Sequence, residues 1–508
     1  MIEIPRFSPL RITQRTGRPS RADIDSSDQV LIVLPQARKP AAAGVPLRAR
    51  VEKLAAVARR SPQRQATTRL ENSKSTQLTV ALAPRDSTAF ERLSWARQLA
   101  APAAETGGRI SVIVLGCSDE RYGEILDAVL SALSAVAFEL ASYRSTRRTH
   151  RLLRSAVVLG TQTQLDLRGI KAAAAGNNLA RWLTALPPNK LDAASYRQVI
   201  ESIAATENFE FEFFDEAQLR ELGAGAFLAV CQGNDERDAG IVRLTYRPKR
   251  PPTTDAASLA LVGKGIIFDT GGNNLKPFRS MLDMHMDMQG SAVALGVLLA
   301  ATAIAVPYEI ELWLAITENR ISARAYKSQD VVTALNGTTI QVIHTDAEGR
   351  MVLADTLALA SRSSPDLIID FATLTGACVT ALTSRYSGVF CNRDSLHDEL
   401  IAAGRTSGER VWPFPMDADF DEGLKSTVAD VKQCAEDGAG DHILAAKFLA
   451  RFVPPTIPWV HVDLAAAQHK GGLAHVPSEF TGFGVRFTLH LLQQQLRFGT
   501  SETTLPTS

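Results

Sequence analysis

The sequence is poor in cysteine, and this limits the kinds of site it can build. Five cysteines are spread over 508 residues, and no two of them form a Cys-x-x-Cys pair. A disulfide framework is therefore not expected. The pattern is typical of a protein in a reducing compartment, so we expect a cytoplasmic location.

The chain also lacks a strong overall charge and long apolar runs. Its formal net charge is +1, so we expect no global attraction to nucleic acid or to an anionic membrane. We find no apolar run of membrane-spanning length, and the N-terminal arginines are not followed by the apolar core of a secretory signal. We therefore expect no membrane partner.

The charges are nevertheless unevenly distributed. Residues 1–75 carry 15 Lys and Arg against 6 Asp and Glu, and five arginines recur between Tyr143 and Arg154. The simpler interpretation is a solvated basic face. The alternative is a surface that meets a polyanion.

The length of the chain and its alternating pattern indicate the fold class. A chain of 508 residues is too long for one hydrophobic core, and strand-like segments alternate with helix-like segments, which favours the α/β class. We predict an N-terminal α/β domain at 1–165, a helical connector at 166–190, a larger α/β domain at 191–497 and a polar tail at 498–508. Continuous Val, Ile and Leu strands in the larger domain favour a mainly parallel central sheet covered by helices.

Individual strands and helices can be placed by the same patterns. Strands are predicted at 30–34, 78–82, 110–115, 156–160, 258–262, 309–316, 338–343, 366–371 and 458–464. Helices are predicted at 122–143, 169–186, 291–305 and 351–361.

Two carboxylates and a guanidinium fall close together in the heptapeptide 344–350, His-Thr-Asp-Ala-Glu-Gly-Arg. In extended chain Asp346 and Glu348 project to one side, because side chains at i and i+2 share a face. They follow the predicted strand at 338–343, where open α/β sheets place their ligands. A bare Asp-x-Glu is more often a surface turn in which the Asp caps a helix, so further evidence is needed.

A second polar cluster lies about eighty residues earlier. The glycines between 263 and 272 predict a loop that bends around a ligand and contains Lys264 and Asp269. Lys276 follows, and Asp287 stands among methionines, where a lone charge is disfavoured. A phosphate-binding loop is the alternative, but the order GxxxxGK[ST] is absent.

Together the two clusters form a set of hard oxygen ligands. Such a set is suited to two divalent metal ions that share bridging oxygens. Lys276 and Arg350 remain as fixed positive groups that can stabilise an oxyanion or hold an anion. The carboxylates are Asp269, Asp287, Asp346 and Glu348.

These segments resemble the leucine aminopeptidase (cytosol aminopeptidase) family of metallopeptidases, peptidase family M17. The run Thr345-Asp346-Ala347-Glu348-Gly349-Arg350 with the following Met-Val-Leu-Ala-Asp matches the family's signature, and the resemblance covers about residues 165–490. The first 160 residues carry no recognised motif. Further matching segments are Val262-Gly263-Lys264-Gly265, Phe268-Asp269-Thr270-Gly271-Gly272, Lys276-Pro277, Met286-Asp287-Met288 and Ala372-Thr373-Leu374-Thr375-Gly376-Ala377.

The resemblance implies a site with two zinc or manganese ions in the larger, catalytic domain. Asp269 and Glu348 would bridge the ions, Lys264 and Asp287 would complete the tighter site, and Asp346 would complete the more exchangeable one. The activity implied is exopeptidase cleavage, in which a metal-bridging hydroxide attacks the first peptide carbonyl and releases the N-terminal amino acid.

Further roles are implied by the same resemblance. Lys276 would contact the scissile carbonyl oxygen, and Arg350 would hold a bicarbonate that serves as general base. Met284, Thr373 and Gly376 match positions that line the pocket for the first substrate side chain.

The implied partners are peptides with a free N-terminus and further copies of the chain in a homohexamer. Some members of the family also bind DNA, so the basic N-terminal domain makes DNA a possible second partner. A two-metal hydrolase of phosphoesters is a third interpretation, which the lysine ligand and the run Asp-x-Glu-Gly-Arg disfavour. The chain has His344 where the family usually has Asn, and we expect His344 to have a supporting or structural role.

Overall fold

The computed structural model describes residues 2–36, 44–146, 151–249 and 257–493. The predicted tail at 498–508 and two arginines of the basic segment, Arg147 and Arg148, lie outside the described residues.

The N-terminal part of the chain forms a six-stranded sheet in the order β1-β6-β5-β2-β4-β3, in which all neighbours are parallel except β3 and β4. Its strands are β1 (Arg11–Thr16), β2 (Gln29–Pro35), β3 (Gln65–Arg69), β4 (Gln77–Ala83), β5 (Gly108–Val114) and β6 (Leu153–Thr161). Its helices are α1 (Arg21–Asp25), α2 (Arg48–Arg60), α3 (Ala89–Thr106) and α4 (Asp119–Ala137).

The rest of the described chain contains an eight-stranded sheet and a small three-stranded sheet. The strands are β7 (Glu210–Asp215), β8 (Gly240–Tyr246), β9 (Ser258–Asp269), β10 (Glu309–Asn319), β11 (Val331–Thr333), β12 (Thr339–Gln341), β13 (Leu367–Ala372), β14 (Ser387–Cys391), β15 (Val411–Pro413), β16 (Val431–Lys432) and β17 (Trp459–Asp463).

Helices cover both sheets of this part. They are α5 (Arg168–Thr184), α6 (Ala193–Glu207), α7 (Glu216–Leu222), α8 (Gly225–Cys231), α9 (Phe278–Met281), α10 (Gln289–Ala303), α11 (Glu348–Ala360), α12 (Gly376–Leu382), α13 (His397–Ser407), α14 (Asp441–Ala450) and α15 (Val485–Gln493). Short 3-10 helices lie at Met284–Met286, Ser361–Ser363, Thr383–Arg385, Asp394–Leu396 and Ala418–Leu424.

The large sheet has the order β15-β14-β17-β13-β9-β10-β8-β7. Its centre, from β17 through β13 and β9 to β10, is parallel. The pairs β10–β8, β8–β7 and β17–β14 are antiparallel, and the outermost strand β15 pairs with β14 in parallel. The predicted α/β class with a mainly parallel, helix-covered central sheet is therefore confirmed.

Helix α5, predicted as a connector, packs deeply against the large sheet's helix α10. A Cβ atom on Gly176 would come 2.2 Å from the carbonyl oxygen of Gly296, so the two helices approach as closely as their backbones allow. Leu179 and Ala180 of α5 are completely buried in the same core. The predicted boundaries at 165 and 190 stay predictions.

The segment Phe278–Ala303 corrects one expectation from the sequence. By length and composition this stretch of 26 residues could cross a membrane, since an 18-residue window within it has a mean hydropathy of 1.3, although we expected no such run. Its most apolar part is 78% buried inside the protein, as is typical of a core helix.

The glycines at 263 and 265 do not form the loop that we predicted. Strand β9 continues through them to Asp269, and the chain turns only at Gly271 and Gly272, whose φ angles are 85° and 62°. A Cβ atom on Gly263 would lie 2.5 Å from Cα of Ser291 on α10. These glycines therefore allow the strand to pack closely against its neighbours, which is a common use of glycine within a strand.

Three further predictions are corrected. The strand predicted at 338–343 is the short strand β12, which belongs to the three-stranded sheet rather than to the central sheet. The run 346–348 is not extended, because Glu348 already begins α11. The helix predicted at 122–143 spans Asp119–Ala137, where Ser118 caps its first turn by accepting a hydrogen bond from Arg121 N.

Candidate metal centre

The predicted site residues converge at one end of the central strands. Lys264 and Asp269 lie on β9, five residues apart, and Asp287 follows the 3-10 helix Met284–Met286. Asp346 lies in the turn before α11, and Glu348 is the first residue of that helix. A carboxylate in the first turn of a helix is stabilised by the helix dipole.

Lys264 joins two of the carboxylates. Its Nζ atom lies 2.8 Å from both Oδ1 and Oδ2 of Asp287 and 3.1 Å from Oε1 of Glu348. The same nitrogen donates a hydrogen bond of 2.8 Å to the carbonyl oxygen of Thr373. Because Lys264 is only 3% exposed, its charge is balanced by these partners rather than by bulk solvent.

Three carboxylates form the densest part of the cluster. One oxygen from each of Asp269, Asp346 and Glu348 lies within 4.8 Å of the other two. Lys276 stands between two of them, with Nζ 2.9 Å from Oδ2 of Asp269 and 2.5 Å from Oδ1 of Asp346. The arrangement brings four hard oxygen ligands and two lysines into one buried site.

The pKa values reflect the crowding of like charges. Burial and the nearby charge of Glu348 raise the pKa of Asp269 to about 7, and burial raises the pKa of Asp287 to about 7 against the pull of Lys264. The pKa of Glu348 is lowered, because Lys264 and Lys276 outweigh its burial. Carboxylates that repel one another in this way favour a cation between them.

The donor set fits divalent metal ions. Asp269, Asp346 and Glu348 offer carboxylate oxygens from one small, buried volume, and such oxygens suit Mg²⁺, Mn²⁺ and Zn²⁺. Lys264 lies against Asp287 and Glu348 and can join them as a ligand when its amine is unprotonated.

Asn319 belongs to the site but was missed from the sequence. It ends β10, is completely buried, and its Nδ2 atom lies 2.8 Å from Oδ1 of Asp269 and 3.4 Å from Oε2 of Glu348. The same amide donates to the carbonyl oxygen of Thr345 at 3.0 Å. A polar residue at the end of an otherwise apolar strand was the available signal, and Asn319 holds the carboxylates in place.

Asp355 was quoted from the sequence motif but given no role. It is buried on α11, and its two oxygens accept backbone hydrogen bonds of 2.8 Å from Phe227 and Leu335. Burial raises the pKa of Asp355 to about 7 despite these bonds. The residue fixes α11, and with it Glu348, against helix α8 and the turn that follows β11.

Arg350 does not pair with Asp346 or Glu348 among the described residues. Its guanidinium is 2% exposed, donates to the Gln433 carbonyl at 3.2 Å and forms an ion pair of 2.7 Å with Asp441. The bicarbonate expected at Arg350 stays a prediction.

Of the three residues predicted to line the substrate pocket, one contacts the cluster and the other two lie in the segments that adjoin Asp287 and Thr373 along the chain. Thr373 contacts it directly, since its Oγ1 atom donates to Oδ1 of Asp287 at 2.7 Å. Met284 is partly buried in the 3-10 helix that precedes Asp287. Gly376 begins α12, is exposed, and has open space where a side chain would project.

His344 supports the turn before Glu348. Its Nδ1 atom accepts a hydrogen bond of 3.2 Å from the backbone N–H of Asp346. Partial burial and the charge of Lys276 lower the pKa of His344. The contact agrees with the supporting role expected from the sequence.

An α/β fold with a carboxylate and lysine cluster at one end of its central strands defines the catalytic domain of a metallohydrolase. The family model described as "Cytosol aminopeptidase family, catalytic domain" matches residues 178–489. The chain belongs to this family, peptidase family M17. The predictions of the family and of a leucyl-aminopeptidase-type hydrolase are confirmed.

Relatives and solved structures support the assignment. A probable cytosol aminopeptidase of Syntrophotalea carbinolica is 42% identical over 65% of this chain and 67% of the relative. One of Prochlorococcus marinus is 38% identical over 77% and 82% of the two chains. Several curated relatives are matched over slightly less than two thirds of their length.

Two solved structures extend the likeness to the N-terminal part. A mutant of tomato leucine aminopeptidase superposes with a TM-score of 0.83 at 28% identity, covering 96% of this chain and 97% of that one. The bottromycin maturation enzyme BotP, in a complex with Mn, gives a TM-score of 0.79 at 30% identity over 92% and 99%. The two-part architecture is thus shared along nearly the whole chain.

Proposed function

We propose that the protein is a metal-dependent aminopeptidase that releases N-terminal amino acids from peptides. The observation that carries the proposal is the buried cluster of Asp269, Asp346 and Glu348 beside two lysines. Membership of the cytosol aminopeptidase family supports the same conclusion.

The residues divide into two sets of metal ligands under this proposal. Asp269, Asp287, Asp346 and Glu348, with Lys264 as an unprotonated amine, would hold two divalent ions, with Lys264 and Asp287 belonging to one set and Asp346 to the other. When bound, Zn²⁺ or Mn²⁺ would lower the pKa of a water ligand and polarise the substrate carbonyl. The BotP structure was solved with Mn, which favours testing manganese first.

Lys276 has a separate role under the proposal. Its ammonium stands at the edge of the cluster with 13% of the side chain exposed, whereas the Lys264 side chain is only 4% exposed. It can therefore meet a substrate oxygen and stabilise the negative charge that develops there. The raised pKa of Lys276, which Asp269 and Glu348 cause against the effect of burial, keeps it protonated for this role.

The substrate side chain is proposed to enter beside Met284, Thr373 and Gly376. Gly376 leaves open space at the start of α12, and Met284 offers a flexible apolar wall. Since Thr373 also bonds to Asp287, a change in this pocket is transmitted to the metal ligands.

The cellular context remains a proposal. We propose peptides with free N-termini as substrates, a cytoplasmic location and a homohexamer, and the names of the cytosol aminopeptidase relatives favour that location. Binding of DNA through the basic N-terminal domain stays a prediction, to be tested by a mobility shift at physiological salt with full-length protein and with a full-length variant in which the exposed Arg48 and Arg50 are replaced by serine.

The aminopeptidase proposal is tested with an amino-acid anilide. With Mn²⁺ or Zn²⁺, the purified protein should release the anilide when the α-amino group is free and spare the N-acetylated form. Equal cleavage of both forms would refute the aminopeptidase proposal. Turnover of a phosphoester with no turnover of the anilide would favour the phosphoesterase alternative.

The cluster itself is tested with Asp346→Ala. Asp346 is partly exposed, so the change should abolish activity and reduce bound metal while the thermal transition stays cooperative. Asp330→Ala, on the nearby loop before β11, is the matched control and should retain both metal and activity. Full turnover by the Asp346 variant would remove that residue from the site.

A further inference from the structure

The guanidinium of Arg350 already holds an anion that belongs to the protein. Asp441 Oδ1 lies 2.7 Å from Nη2 of Arg350, and the second terminal nitrogen, Nη1, donates to the Gln433 carbonyl at 3.2 Å. Arg350 is 2% exposed. Charge-assisted hydrogen bonds of this kind in a buried setting are the strong ones.

The helix that carries Asp441 also holds this residue in place. It is the first residue of the ten-residue helix α14, directly after Gly440 at a φ of 61°. A carboxylate at this position is stabilised by the positive end of the helix dipole. Helix α14 packs against α11, the helix that begins with Glu348 and carries Arg350. Two packed helices therefore fix the pair.

A second anion at Arg350 would have to share the guanidinium with Asp441. The repulsion energy of two unit negative charges about 4 Å apart is about 1 kcal/mol in water and about 4 kcal/mol near a protein surface. It is therefore unfavourable for two anions to share the guanidinium. The Asp441 side chain is 27% exposed, so one edge of its carboxylate faces away from the core. Asp441 and the Gln433 carbonyl therefore already engage both terminal nitrogens of Arg350, while Nε is buried without a partner among the described residues. A bicarbonate at Arg350 would have to bind through Nε beside the Asp441 carboxylate.

We propose that Asp441 is the resident anion of Arg350 and replaces bicarbonate in this protein, which makes its aminopeptidase activity independent of bicarbonate. The inference rests on the proposed function and adds Asp441 to the site. Because the carboxylate belongs to the same chain as Arg350, it is present whatever the concentration of bicarbonate in solution. Its Oδ1 atom provides an acceptor that an exchangeable anion would otherwise bring to Arg350.

The experiment compares full-length wild type with Asp441→Ser, which removes the carboxylate, in carbonate-free buffer and with added bicarbonate. Wild-type kcat should not respond to bicarbonate. The Asp441→Ser variant should lose roughly 10- to 100-fold in kcat, the equivalent of one charge-assisted hydrogen bond, and should regain much of it when bicarbonate is added. The matched control is Asp437→Asn, an exposed acidic residue four positions earlier, which should behave as wild type.

A second readout does not depend on turnover. Line broadening of ¹³C-labelled bicarbonate should be weak with wild-type protein and saturable with Asp441→Ser. Equal binding by both proteins, or activation of the wild type by bicarbonate, would overturn the proposal, as would a variant that neither binds bicarbonate nor responds to it. If the wild type lacks aminopeptidase activity, the proposed function fails, while the binding comparison still decides whether Asp441 occupies the anion site.

Discussion

Lys276 is positioned to have two roles that a single substitution can separate. Its ammonium lies 2.9 Å from Asp269 and 2.5 Å from Asp346, so it neutralises two carboxylates of the cluster. Metal ions among the same carboxylates compete with Lys276 for those oxygens and leave it available to a substrate. Lys276→Met should therefore damage stability and catalysis under different conditions.

The expected loss of stability in Lys276→Met follows from the distances between the charged groups. Two carboxylate oxygens within 4.8 Å repel by at least about 3.5 kcal/mol at an effective dielectric of about 20. Removing one partner of a buried ion pair costs about 3–5 kcal/mol. We expect Lys276→Met to lower the free energy of unfolding by about this amount in chelator-treated protein and by much less with bound metal, because metal ions take over the neutralisation.

The assay is denaturant unfolding with and without Mn²⁺, combined with steady-state kinetics. The metal-loaded variant should lose roughly 10²- to 10³-fold in kcat, as removal of an oxyanion donor does. Lys276→Arg keeps the charge and serves as the control for stability. Equal destabilisation in both metal states would refute the neutralising role, and an unchanged kcat would refute the catalytic one.

Two further changes probe the support of the site. Burial raises the pKa of Asp355 from its ordinary value of 3.8 to about 7 in the folded protein, so the stability from its protonated form is fully present below about pH 4 and is lost, by about 4 kcal/mol, as the pH rises from about 4 to about 7. Asp355→Asn should flatten that part of the unfolding profile, and an unchanged slope between about pH 4 and 7 would contradict the assignment. Gly349→Ala would place a Cβ atom 2.7 Å from Nζ of Lys264, so we expect weaker metal binding in a calorimetric titration with a nearly unchanged thermal transition. An unaltered affinity would show that Lys264 moves freely.

The sequence was most informative about strands that are buried on both faces. Continuous apolar runs such as 30–34 and 309–316 have few alternatives in a chain of this composition, and each lies within an observed strand. The strand at 338–343 was misplaced because periodicity gives no information on which sheet a short strand joins. Its pairing with β16, about ninety residues later, is a long-range contact.

The site residues likewise fall into two groups, those that the local sequence pattern identified and those that only contacts in the folded chain identify. Unusual carboxylates and lysines within apolar sequence identified the cluster, since a charge in such surroundings needs a partner. Asn319 and Asp441 were not identified, because an Asn at a strand end and an Asp at a helix start are common without any function. The burial of Asn319 and the distances of the two residues to Asp269 and Arg350 distinguish them, and these are properties of the folded chain.

Glycines explain how a lysine comes to lie among buried carboxylates. Added Cβ atoms would lie 2.1 Å from the Phe371 carbonyl oxygen at Gly290 and 2.6 Å from Cε of Lys264 at Gly349. Helix α10 can therefore approach β13 closely only because Gly290 lacks a side chain, and the missing side chain of Gly349 at the start of α11 leaves room for the end of the Lys264 side chain. The space that remains accommodates the stem of Lys264 and directs its amine at Asp287 and Glu348. Gly263 and Gly265, which we predicted in a loop, lie instead within β9 and allow the same close packing, since a Cβ atom on Gly263 would lie 2.5 Å from Cα of Ser291 on α10.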